Sequence, residues 1–355
     1  MGVSDPGLAD EIEQLRLSAS RFAAAELAPA ARAAEQAGTW PPDRLEVLAR
    51  LALRELDLPE EYGGAGAGCL AKVVVLETLA AGDAGGLAAA DQPGMAAGAL
   101  AVCPDTGLAR AIADECLAGR AACAWLALDP EGPPAREVPW APAWPAPRWV
   151  FVSRGESLEA CEPVHPARPV RALAFGASGA VSLSLDGARV AGRWKLEART
   201  ALAVRGRARL WCAAVALGVA QSAFDATVAY TRDRVVFGKP VAHHQGNAFE
   251  LAVAATNLQG ARLLVRDAAS SCDGLAADAG FWATQAWLAA VDAAVGVTDL
   301  GVQLLGGHGF LVDHLAEKRF REARMLGLLA GGRDLADADL ADAVLGVPDP
   351  LAEAP

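Results

Sequence analysis

The sequence predicts an α+β chain in which helices flank one small β domain. Three observations predict it. Apolar residues recur at helical spacing through residues 1–120. Between about 121 and 205 they alternate instead, amid many prolines. The helical period then returns near Gly206 and continues to the end. The expected organisation is an N-terminal helical domain (1–120), a shortened middle β domain (121–205) and a C-terminal helical bundle with a tail (206–355).

In the first domain Leu8, Ile12, Leu15, Ala19 and Phe22 fall on one helix face. Trp40-Pro41-Pro42-Asp43 opens a second helix, because proline is tolerated in a first turn. Leu45, Leu48 and Ala52 carry its buried side. Leu58–Gly66 is a glycine-rich connection. A helix over about Ala71–Ala81 breaks at Asp83-Ala84-Gly85-Gly86, and another covers about Thr106–Ala118.

The middle domain opens with the apolar run Cys123–Leu128. The prolines between Pro130 and Pro147 exclude a helix and a central strand there. Trp149–Val152 reads as a strand. Val170, Ala172 and Ala174 alternate with Arg171, Leu173 and Phe175. Val181, Leu183 and Leu185 alternate up to the turn Asp186-Gly187. Past Gly206, Leu251, Ala254, Leu258, Ala261 and Val265 form an apolar stripe. Trp282–Val302 is a second long apolar helix, and the Asp- and Ala-rich stretch after Gly332 reads as a last one.

Composition narrows the function. With 53% hydrophobic and 21% charged residues the chain is of a folded globular type. Its net charge of −12 argues against nucleic acid and anionic membranes as partners. The 7 cysteines are scattered with no C-x-x-C pair, which predicts reduced thiols and no metal site. Met1–Gln14 is acidic, without the basic start of a secretory signal, and Leu210–Phe224 falls short of the roughly 18 apolar residues of a membrane span. A cytoplasmic protein is expected.

Three segments carry chemistry. They are Leu58-Pro59-Glu60-Glu61-Tyr62-Gly63-Gly64; Tyr230-Thr231-Arg232-Asp233-Arg234-Val235-Val236-Phe237-Gly238-Lys239-Pro240; and Gln303-Leu304-Leu305-Gly306-Gly307-His308-Gly309-Phe310. In this order and spacing they make the chain resemble the acyl-CoA dehydrogenase family over most of its length. The resemblance implies an N-terminal α domain, a middle β domain and a C-terminal four-helix bundle, assembled as a dimer or dimer of dimers. It also implies FAD-dependent α,β-dehydrogenation of an acyl-CoA thioester. A glutamate takes the α-proton and the β-hydrogen leaves to the flavin.

In that family each FAD is held from two sides. The neighbouring chain donates an arginine and a phenylalanine around Phe-Gly-Lys, a glutamine eleven residues after the arginine, and a Gln-x-x-Gly-Gly turn. Arg234, Phe237, Gln245, Gln303, Gly306 and Gly307 match these positions, and His244, beside Gln245, joins the cofactor-binding set. Arginine offers a charged donor fork for phosphate, and glycines admit close backbone approach.

The chain's own half departs from the family. Leu128-Asp129-Pro130 stands where Thr-Glu-Pro is usual, and no Gly-Ser-Asp loop follows. The two positions at which family members carry the glutamate correspond to Ala330 and Ala208, so no catalytic residue is assigned. The resemblance therefore points to the short, glutamate-lacking subunit of a heteromeric, steroid-type acyl-CoA dehydrogenase. Such a subunit would complete the FAD site of a catalytic partner whose glutamate is intact, and FAD may be absent from the isolated chain. Competing readings are a homomeric flavoenzyme with a displaced base, such as Glu322 or Asp334, and a flavin-free scaffold. Plainer roles stand beside the sharp ones: a surface ion pair for Arg234, a helix cap for Gly306-Gly307, polar bundle residues for His243 and His244.

Overall fold

The computed structural model describes residues 9–345 except Arg50 and Ala52. Leu8 and Ala52, assigned above to buried faces, lie outside the described residues. The N-terminal domain holds α1 (Asp10–Phe22), α2 (Ala31–Ala37), α3 (Pro42–Ala49), α4 (Gly68–Ala80), α5 (Ala84–Ala90), α6 (Ala97–Val102) and α7 (Thr106–Leu117). Ile12, Leu15, Ala19 and Phe22 turn to the core, as their spacing requires. Asp83-Ala84-Gly85-Gly86 does end α4, but it also starts α5. The Asp83 carboxylate accepts the Gly86 N–H at 2.8 Å and caps the new helix. Glycine stands at 86 because a Cβ there would lie 2.5 Å from the Trp40 indole nitrogen.

The middle domain is a two-sheet sandwich of β1 (Ala122–Leu128), β2 (Glu137–Ala141), β3 (Pro147–Arg154), β4 (Ser157–Glu162), β5 (Arg168–Pro169), β6 (Val181–Ser184) and β7 (Arg189–Lys195). One sheet has the order β1-β3-β4-β7, with β1 and β3 parallel; the other has β2-β6-β5. Ala124, Val138, Val150, Val152, Val181 and Leu183 fill the space between them. Pro139 is tolerated in β2 because β2 is an edge strand. The alternation at 170–175 does not become a strand. Only Arg168–Pro169 pairs with β6, and beyond it the chain turns inward. Phe175 anchors that turn with a φ of 54°, fully buried and 5.5 Å from the Trp140 ring.

The bundle comprises α8 (Ala198–Asp233), a hairpin of β8 (Val235–Val236) and β9 (Lys239–Pro240), then α9 (Gln245–Asp273), α10 (Ala279–Leu305), α11 (Ala316–Leu326) and α12 (Gly332–Leu345). Helix α8 thus begins ahead of Gly206. By length and composition α8 and α10 could each cross a membrane, but both run through the bundle core here. Glycines set their contact. A Cβ on Gly206 would lie 2.9 Å from Ala283, and one on Gly301 would lie 2.8 Å from Thr227 Oγ1. Both pairs are in the same order along the chain, so α8 and α10 run parallel. The hairpin returns the chain to the end of α8, where Val241 N–H meets the Arg234 carbonyl. Farther along α9, Arg262 meets Gln221 of α8 at 2.7 Å and Glu77 of α4 at 2.6 Å, so α9 runs antiparallel to α8. The C-termini of α8 and α10 and the N-terminus of α9 therefore share one end of the bundle.

Candidate functional site

That shared end collects every residue of the donated set. Arg234 leaves α8 at its C-cap, its N–H bonded to the Tyr230 carbonyl at 2.9 Å and its carbonyl accepting from Val241 N–H at 2.8 Å. The side chain is exposed and makes no ion pair among the described residues. Phe237 and Gly238 form the hairpin tip, both left-handed, with φ of 52° and 80°. Two successive positive φ values suit a tight hairpin, yet phenylalanine is strained there. Phe237 is 95% exposed. His244 braces the hairpin: its Nε2–H donates to the Val236 carbonyl at 3.0 Å, which assigns that proton.

Gln245 begins α9. No side chain caps the helix, so its first N–H groups face outward. Gly246 has open space around it. Gln303 lies exposed in the last turn of α10. Gly306 caps that helix with φ 57° and ψ −132°, a conformation only glycine adopts freely, and nothing lies within 4 Å of the Cβ positions of Gly306 or Gly307. The helix-cap role and the open approach thus coexist. Tyr230 Oη meets His308 Nδ1 at 2.8 Å and ties the two connections together. An exposed arginine, an uncapped helix start with its partial positive charge, and a bare glycine turn can together hold a dinucleotide phosphate.

The chain's own half is built differently. Ala330 sits between α11 and α12, 5% exposed and left-handed at φ 54°. The next residue, Gly331, lies against β1. A Cβ on it would come 3.2 Å from Ala127 Cβ and 2.5 Å from Leu335 Cδ2. Ala208 is buried in α8, and the neighbouring Arg209 is fully buried. Its guanidinium pairs with Asp339 of α12 at 2.6 Å, and Arg205 pairs with the same carboxylate at 2.7 Å. Helix α12 is thereby clamped on α8. Burial lowers the Arg209 pKa, and Asp339 opposes that shift.

Beyond β1, the Arg154 guanidinium gathers the carbonyls of Asp129, Gly132 and Pro133 at 2.6–3.0 Å, so the loop after Leu128 is tied back to β3. The cavity lined by Asp91, Met95, Trp125, Trp140 and Trp211 measures about 20 Å³. That admits roughly one water. The exposed end thus offers groups that fit the phosphates of a dinucleotide such as FAD, and on the other side Ala330 and Ala208 offer no proton acceptor. Glu322 is enclosed by Lys318 at 2.5 Å and is 2% exposed, so it serves that ion pair; Asp334 is exposed in the first turn of α12.

Sequence reasoning missed Tyr230–His308, Arg154, and Asp339 with its two arginines. Each joins residues far apart in the chain, and only the Tyr230 and His308 positions lay inside a noted motif.

A helical domain, a β sandwich and a helical bundle in this order, with a phosphate-compatible end, define an acyl-CoA dehydrogenase architecture. The comparisons agree. Residues 9–103 match the model of the acyl-CoA dehydrogenase N-terminal domain, and residues 199–345 match that of the C-terminal domain. The chain belongs to the acyl-CoA dehydrogenase family. It is 26% identical over 375 residues to a probable acyl-CoA dehydrogenase of Mycobacterium tuberculosis, covering 95% of this chain and 96% of the relative. It is 40% identical over 123 residues to cyclohex-1-ene-1-carbonyl-CoA dehydrogenase of Geobacter metallireducens, a match spanning 35% of this chain and 32% of that relative. Butyryl-CoA dehydrogenase of Megasphaera elsdenii superposes with a TM-score of 0.83 at 21% identity, over 96% of this chain and 100% of that one. A variant of the Tcur3481-Tcur3483 steroid ACAD superposes at 0.78 with 22% identity, over 95% and 98%. At these identities the structural likeness speaks for the fold.

Proposed function

We propose that this chain is a non-catalytic subunit of a heteromeric FAD-dependent acyl-CoA dehydrogenase. It completes the FAD site of a partner chain that carries the glutamate. The observation that carries this reading is that Ala330 and Ala208 occupy both positions that could carry the base, while the Arg234–Gly307 end keeps its matching residues. Alanine at both positions leaves no side chain there that could take the proton. The donated end, by contrast, is open. Arg234 would pair with pyrophosphate oxygens, the first amides of α9 and the Gly306-Gly307 turn would approach the same group, and Phe237 would cover an aromatic face. Bound there, FAD would supply the hydride acceptor, while the partner's glutamate would remove the proton. A steroid-type substrate is in keeping with the fold likeness to a steroid ACAD named for two chains.

The test is flavin absorbance of the purified chain, alone and co-expressed with a glutamate-bearing homologue. The chain alone should be flavin-poor and inactive. The pair should be yellow and reduce its flavin on adding acyl-CoA. A lone chain that holds one FAD per protomer and oxidises acyl-CoA would sink the reading.

A further inference from the structure

The donated residues come from two connections, the hairpin after α8 and the turn after α10, between which no backbone hydrogen bond runs among the described residues. We infer that the Tyr230–His308 hydrogen bond positions these two connections against each other, an inference that rests on this end being a donated FAD site. Tyr230 lies in the last turn of α8, and its carbonyl holds the Arg234 N–H at 2.9 Å. Where Tyr230 stands therefore sets where Arg234 leaves the helix. Its hydroxyl meets His308 Nδ1 at 2.8 Å, and its ring stands edge-on to the imidazole at 5.9 Å and 84°.

His308 ends the turn that Gly306 begins. Two adjacent glycines in open space have wide conformational freedom. The Gly309 N–H to Gly306 carbonyl bond, at 2.9 Å, closes the turn but does not aim it at α8. The His308 side chain does. Behind it the His314 ring lies 5.2 Å from that of His308, and the His314 carbonyl accepts from Arg32 of α2 at 2.7 Å. The support thus reaches the N-terminal domain. Tyr230 and His308 act through Arg234 and the glycine turn, so they are positioning residues; the cofactor contacts belong to the groups they hold.

The experiment uses the complex of this chain with its catalytic partner, stripped of flavin and titrated with FAD while fluorescence is followed. The variants are Tyr230→Phe, His308→Leu, His308→Asn and, as a reference, Arg234→Ala; thermal melting is recorded for each. Losing one hydrogen bond should weaken FAD binding about three- to tenfold in Tyr230→Phe and His308→Leu. Melting should stay unchanged. His308→Asn should bind almost as wild type, because its amide oxygen replaces Nδ1 as acceptor. If Arg234→Ala weakens FAD binding while Tyr230→Phe and His308→Leu do not, the positioning role is wrong and the donated site stands. If Arg234→Ala also binds normally, the donated site itself is wrong. If His308→Asn fails as badly as His308→Leu and melts lower, the residue merely packs, and the inference is overturned.

Discussion

Ala330 shows how much one residue can and cannot explain. It lacks the carboxylate that the family's chemistry needs, which invites restoring the base. The surroundings argue against a rescue. The residue is left-handed at φ 54° and 5% exposed, and Gly331 beside it rests on β1. A longer side chain retains the backbone strain and buries a carboxylate. Ala330→Glu should therefore leave the isolated chain without flavin or dehydrogenase activity, and should lower its stability by about 2–4 kcal/mol. Urea unfolding followed by circular dichroism, with an acyl-CoA assay alongside, checks both. Gain of turnover by the single variant would mean that the chain needs only the missing carboxylate to act alone.

Among the elements, the β8–β9 hairpin makes the sharpest case of strain kept for a task. A phenylalanine at φ 52° costs roughly 1 kcal/mol relative to glycine, and Phe237, at 95% exposure, recovers nothing from burial within this chain. Phe237→Gly should raise the melting temperature of the isolated chain by a few degrees and lower flavin retention in the complex. Unchanged flavin content would remove Phe237 from the site. The hairpin itself was not read from the sequence, where Tyr230–Pro240 stood out only as a motif within a helical pattern that continues from Gly206. Helices α1, α3 and α9 were legible from their periodic apolar faces, and α10 from its long apolar run. What stayed hidden depends on distant partners. Residues 170–175 alternate like a strand, but Phe175 finds Trp140 and turns the segment inward. Gly85-Gly86 look like a break, yet Asp83 caps a helix through them. In the site, the motif residues were legible, while the contact of Gly331 with Ala127 joins residues about 200 positions apart in the chain.

At the scale of the whole molecule, buried charges fasten the domains into one body, so that the donated end is presented on a stiff support. Lys318 of α11 is the central fastener. Its ammonium meets Asp83 at 2.7 Å and Glu322 at 2.5 Å, and Asp83 also accepts the Trp40 indole N–H at 2.6 Å while capping α5. Removing one partner from such a cluster leaves uncompensated buried carboxylates, so Lys318→Met should cost about 3–5 kcal/mol. The pH dependence gives a second check. Burial pulls the Lys318 pKa down, but the carboxylates of Asp83 and Glu322 outweigh it, and the folded value stands above the ordinary 10.5. A raised lysine binds its proton more tightly in the folded state. Its contribution is therefore complete below pH 10.5 and is lost as the pH rises through the folded value. The stability gap between wild type and Lys318→Met, measured by urea unfolding, should be constant from pH 7 to 10 and narrow above about pH 10.5. A gap that closes instead between pH 5 and 8 would show that the carboxylates, and not the ammonium, govern the fastening of α11 to the N-terminal domain.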